Sequence, residues 1–162
     1  MKTKSASKAK STWREKFKRP QEPQVKPAPE KWSEKFGKKM LIPTPALVDE
    51  TVRKVGKGKL VTLGQIRTRL AKKFNADFTC PLTTGIFLRI VAEVAEEDKA
   101  GGKKRVAPYW RVLKDDGTLN PKFPGGDSAQ ANYLRQEGFS IVKKGKTKLK
   151  VKDFESYLVD FS

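Results

Sequence analysis

Two places in this 162-residue chain hold side chains whose types and spacing could do chemistry on a ligand. One is Pro108-Tyr109-Trp110-Arg111-Val112, where two large aromatics precede a guanidinium. The other is Cys80-Pro81, which opens an apolar run. Histidine is absent and Cys80 is the only cysteine. Those counts exclude His-containing zinc sites, Ser-His and Cys-His nucleophilic pairs, and an intramolecular disulfide. A thiol at a helix start can act as a nucleophile, but here no imidazole is available to assist and the nearby Asp77 opposes a thiolate. Cys80 therefore reads as a small buried or capping residue, in keeping with a reducing compartment. Tyr109 and Trp110 have three uses, of which the first two are packing into the interior and stacking on an unpaired base, worth ~1–3 kcal/mol. A protein partner is a third.

The charge narrows the ligand. Lys and Arg number 36 against 18 Asp and Glu, a net charge of +18. That excess exceeds what solubility requires and points to a polyanion: duplex DNA first, RNA or a ribosome as the alternative. No apolar run approaches the ~20 residues of a spanning helix, and no signal peptide opens the chain. No membrane role, metal or cofactor is expected.

The chain divides near residue 42. Residues 1–39 hold 13 Lys and Arg against 4 Asp and Glu, a net +9, with Pro20, Pro23, Pro27 and Pro29. So few apolar groups cannot offset chain entropy, and residues 1–42 are expected to be a disordered basic tail able to wrap a duplex. Within it lies a repeat, Trp13-Arg14-Glu15-Lys16-Phe17 and Trp32-Ser33-Glu34-Lys35-Phe36. Trp and Phe four apart share a helical face. The repeat serves as a docking motif or as stacking groups among lysines, unless it is chance similarity.

Residues 43–162 carry globular patterning. Thr44-Pro45 reads as a cap and first helical position, followed by a stripe through Val48 and Val52 that Gly56 closes. Thr62-Leu63-Gly64-Gln65 has capping-box spacing, and the helix it opens runs to about Phe74. After a turn at Asn75-Ala76-Asp77, a second helix starts at Pro81, with Leu82, Ile86, Ile90 and Val94 expected in the core. Thr83, Thr84, Phe87 and Arg89 are expected outside. Two helices across a short turn form a helix-turn-helix. Ala107–Gly126 reads as a hairpin about Asp116-Gly117, which in that position is a wing. Asp127 to Gln130 has capping spacing again, with Asp127 as cap. Ile141 to Val151 reads as a hairpin about Gly145 whose Lys146, Lys148, Lys150 and Lys152 share one face, either a solvated edge or a phosphate-facing stripe. The fold class is α+β, a winged helix-turn-helix with a basic tail.

Three segments of this domain resemble the alkylguanine-DNA alkyltransferases and alkyltransferase-like proteins. Gly58-Lys59-Leu60-Val61-Thr62-Leu63-Gly64-Gln65-Ile66 is similar to their G-x-V-[TS]-Y-G-[EQ]-[IL] run. Pro108-Tyr109-Trp110-Arg111-Val112 stands where they have P-C-H-R-V or P-W-H-R-V, and Gly117, Gly125-Gly126, Leu134 and Glu137-Gly138 follow their closing pattern. The resemblance implies a DNA-binding winged helix. It also implies what is lost. Tyr109 and Trp110 replace the acceptor cysteine and its histidine, Leu63 replaces the tyrosine that helps rotate a nucleotide, and Leu82 replaces the arginine finger. A phenol that ionises near pH ~10 is a poor nucleophile. Leucine, however, still inserts between base steps in minor-groove binders.

The expectation is a non-enzymatic DNA-binding protein, architectural or damage-sensing, held at the nucleoid of a bacterial cytoplasm or in a eukaryotic nucleus. Its expected contacts are Thr62, Leu63, Gln65, Arg67, Leu82, Thr83, Thr84, Arg89, Tyr109, Trp110, Arg111 and Lys114. An alkyltransferase using Cys80 is the remote alternative.

Overall fold

A computed structural model describes residues 11–161. The helix-turn-helix forms as its local signals dictate. Thr62 Oγ1 accepts from Gln65 N while Gln65 Oε1 accepts from Thr62 N, closing the capping box of α4 (Leu63–Lys73). Asn75, in a left-handed conformation, turns the chain into β4 (Phe78–Thr79). Pro81 then starts α5 (Pro81–Ala100). Upstream, Thr44 caps α3 (Pro45–Arg53) by accepting from Leu47 N, with Pro45 at the first position. Helices α3, α4 and α5 enclose a core containing Val48, Val52, Ile66, Leu70, Leu88 and Val91.

One face of α5 departs from the periodic expectation. Ile90 and Val94 are buried, but Leu82 and Ile86 are 63% and 59% exposed. The first half of α5 is apolar on more than one side, so periodicity offers two stripes. The core takes the one through Thr84, Leu88, Val91, Ala92 and Ala95. The turns carrying Leu82 and Ile86 are left facing solvent.

The expected disordered tail is ordered throughout its described part, 11–42; residues 1–10 lie outside the description. Helix α1 (Trp13–Lys18), strand β1 (Gln24–Pro27), helix α2 (Glu30–Phe36) and strand β2 (Lys39–Ile42) precede α3. Strand β2 is central in a three-stranded sheet, antiparallel to β1 and parallel to β4. Leu41 is fully buried, so a boundary at residue 42 cuts through core structure. Apolar surface missing from the segment itself is supplied by the domain. Phe17 packs on the main core, and Phe36 meets Phe78 at 5.3 Å between centroids.

The wing also takes a different form. Tyr109–Arg111 coil into a 3-10 turn, and only Val112–Leu113 (β5) is extended, pairing in parallel with β3 (Val61–Thr62). The Asp116-Gly117 turn forms, with Gly117 N donating to Lys114 O at 2.8 Å. Gly117 sits at φ +84, where a Cβ would collide with the Phe154 ring. Past the turn the chain leaves β5 and bridges to the second sheet instead, Thr118 opposite Lys150. Lys114 N donates to Thr118 O at 3.0 Å next to the turn, but beyond that bond the two arms pair with different partners.

Helix α6 (Gly126–Gln136) has Gly125 at its cap position, two residues before the expected cap Asp127. Gln130 has been recruited to the interior: its Nε2 donates to Trp110 O and Val112 O, and its Oε1 accepts from Asn120 N. Strands β6 (Ile141–Lys144) and β7 (Lys148–Val151) pair antiparallel about Gly145 as expected. A final 3-10 turn, Phe154–Tyr157, buries Phe154.

Candidate nucleic-acid interface

Tyr109 is interior structure, and Trp110 is half-buried beside it. Tyr109 is wholly inaccessible, with its ring against Phe123 at 5.0 Å. Its hydroxyl donates to Glu96 Oε2 at 2.7 Å, and Tyr133 donates to the same oxygen at 2.6 Å. Burial, then the hydrogen bond to Glu96, push the Tyr109 phenol far above its ordinary range. Trp110 stacks on Tyr133 at 4.4 Å and donates its indole N–H to Glu137. Lys99 sits over the outer ring of that stack, 4.0 Å from the Tyr133 centroid.

Arg111 completes the arrangement. It grips Glu137 through Nε at 2.9 Å and NH2 at 2.8 Å, and NH1 donates to Val55 O at 2.6 Å. Both side chains are nearly buried, 12% and 11% exposed. Burial works to raise the Glu137 carboxyl, but the bonds from Arg111 and Trp110 outweigh it and hold the group below the usual carboxylate range. No buried side-chain polar atom among the described residues lacks a partner. Tyr109, Trp110 and Arg111, expected at a ligand, thus fill and tie the interior, because every polar tip finds a protein partner there.

The remaining expected contacts separate. Thr84 is wholly buried and donates to Cys80 O at 2.7 Å, so it is removed from any interface. Thr62 is buried as the α4 cap, and Gln65 is occupied by the capping box and by Val159 O at 2.8 Å. Leu63 packs against the core edge, and Lys114 is half-buried at the turn. Thr83 is half-buried beside Cys80 O. Arg67 remains half-exposed, 3.5 Å from Asp115, and Arg89 is exposed, 3.7 Å from Glu93. Leu82 stands fully forward. Cys80 is 6% exposed and its side chain makes no capping bond, so its thiol is sheltered beneath the first turn of α5.

Sequence reasoning missed Ile86, one helical turn past Leu82 on the same face. The periodic stripe beginning at Leu88 was the available signal. It also missed how α1 bears on this helix. Trp13 lies under the Arg89 guanidinium at 5.1 Å, and Arg14 pairs with Asp98 and Glu97. On the other flank, Trp32 and Phe36 of α2 both meet Phe78, at 6.2 and 5.3 Å. The first W-x-E-K-F copy braces α5, and the second braces the connection between α4 and α5. What faces outward is an apolar ridge, Leu82 and Ile86, with Arg67 and Arg89 nearby in the same two helices. No helix among the described residues is long and apolar enough to cross a membrane, and no cluster of metal-ligating side chains occurs among them.

These features define a winged-helix-like α+β domain. Its fold is that of the alkyltransferase-like proteins. S. pombe Atl1, solved with damaged DNA containing O6-carboxymethylguanine, matches with a TM-score of 0.50 at 19% identity, over 72% of this chain and 94% of that one. S. pombe ATL solved in complex with DNA matches over the same shares with a TM-score of 0.50 and 20% identity. No family model and no curated protein matches the sequence.

Proposed function

We propose that this chain is a non-enzymatic duplex DNA-binding protein whose helix α5 enters a groove and whose Leu82 wedges a base step. The observation that carries this reading is the exposure of Leu82 and Ile86, two large apolar side chains one turn apart on the recognition helix of a chain of charge +18. Exposed leucines of this kind unstack a base step and kink the duplex in minor-groove binders, while surrounding cations neutralise phosphates. The likeness in fold to proteins solved on DNA supports the same assignment.

The filled interior beneath Tyr109 favours an architectural role over lesion recognition, and residence with the cell's DNA, in nucleoid or nucleus, follows. A gel-shift series across salt tests it. Plain duplex, alkylated duplex and structured RNA are titrated in parallel with the full chain. Plain and alkylated duplex are expected to bind alike and to weaken steeply with salt, by a log-log slope of about −0.9 per phosphate contacted. A preference for RNA, or no binding in dilute salt, would overturn the reading. Transfer of a labelled methyl group from DNA to the protein, lost in Cys80→Ser, would restore the alkyltransferase alternative.

A further inference from the structure

Between α2 and α4, floored by β4, runs a groove of about 410 Å³. Its walls carry three cations, Lys35, Arg67 and Lys72, and two aromatic rings, Phe36 and Phe78. Phe36 is 41% exposed although it is one of the largest apolar residues of its segment. The acid on the rim, Asp77, is already engaged, its Oδ2 accepting from the backbone N–H groups of Lys38 and Lys39 at 3.0 and 2.9 Å. The groove ends at Pro81, the residue before the exposed Leu82.

Proteins that hold unpaired nucleotides combine an aromatic face for the base with cations along the backbone path. A wedge that opens a base step creates such a nucleotide beside itself. Tyr109 is wholly buried among its aromatic neighbours, whereas the groove is open, carries three cations and reaches Pro81, the residue before the wedge. We propose that the α2–α4 groove receives an unpaired nucleotide of the DNA that Leu82 engages, its base against Phe36 and its phosphates toward Arg67 and Lys72. This rests on the duplex-binding reading above.

The test uses the full chain and three DNAs of one sequence: intact duplex, the duplex with one extra 2-aminopurine nucleotide as a bulge, and the single strand. The wild-type chain is expected to bind the bulged duplex about fivefold or more tighter than the intact one, the lower end of a base–aromatic stack, and to quench the 2-aminopurine. Phe36→Ala should bring that ratio toward one and restore the fluorescence, with intact-duplex affinity little changed. Phe36→Ala also removes the contact with Phe78. Lys72→Ala, an exposed change on α4, is therefore the second variant and should lower the ratio without touching that contact. Equal binding of bulged and intact duplex by the wild type overturns the groove proposal alone. So does an unchanged ratio in both variants. Failure to bind any of the three DNAs overturns the duplex reading itself.

Discussion

The segment 109–111 and the start of α5 occupy the two positions where the resemblance to alkyltransferases places reactive chemistry and the intercalating finger. They differ from that pattern in opposite directions. At 109–111 everything is turned inward: a tyrosine with no exposure, a tryptophan bonded to Glu137, and an arginine held bidentately by the same carboxylate. At α5 the side chains are turned outward, and Leu82 and Ile86 remain in water at a standing hydrophobic cost. A buried ring stabilises the fold whether or not a ligand exists. An exposed ridge stabilises nothing until something covers it. The contrast predicts that substitutions in the two regions affect different observables.

The largest effect is expected at Tyr109. Tyr109→Ala removes a ring packed on three aromatic neighbours and should cost about 4 kcal/mol of folding stability, read as a fall in denaturation midpoint. Duplex affinity of the remaining folded fraction should be unchanged. If affinity falls and stability does not, the inward assignment is wrong. Glu137→Ala should cost about 3 kcal/mol, because it leaves Arg111 nearly buried without its counter-charge. The same observables apply, and a stable variant would show that the pair is dispensable.

The pH dependence sharpens the same region. Glu137 has a folded carboxyl below its ordinary value, so its contribution is present above the unfolded value near pH 4.5 and is lost as pH falls through the folded one. Tyr109 is raised, so its contribution is complete below the unfolded value near pH 10 and disappears as pH rises beyond it. With no histidine, denaturation midpoints should be nearly flat between about pH 6 and 8 and fall at both extremes. Tyr109→Phe should remove much of the alkaline loss. An alkaline limb identical to wild type would assign it to other groups.

The degree to which the sequence announced these regions follows from how far apart their partners lie. The α4 cap was readable because Thr62 and Gln65 are three residues apart, and the hairpin about Gly145 because its register is set by one turn. The order of residues 11–42 was not readable from that segment alone. Arg14 finds Asp98 across 84 residues, and Phe36 finds Phe78 across 42. Composition describes what a segment can bury by itself, not what a distant surface will cover. The outward face of α5 was misread for a different reason. Leu82 and Ile86 fit one apolar stripe, Leu88 and Val91 fit another, and only the packing of α3 and α4 chooses between them. The inward packing of Tyr109 is one of three uses the sequence leaves open, and Glu96, Phe123 and Tyr133 decide it.

A smaller stability effect is expected where the first repeat braces α5. Arg14→Ala removes partly exposed ion pairs to Asp98 and Glu97 and should cost about 1 kcal/mol or less. Lys103 still faces Asp98 at 3.6 Å. A loss of several kcal/mol would mean that α1 is integral to the core rather than a brace.

The most direct measurement is duplex affinity and thermal stability determined side by side for wild type and Leu82→Asp. The account predicts that affinity falls at least about tenfold, ~1.4 kcal/mol, while the unfolding free energy stays within about 0.5 kcal/mol of wild type. Unchanged affinity with intact folding would contradict it.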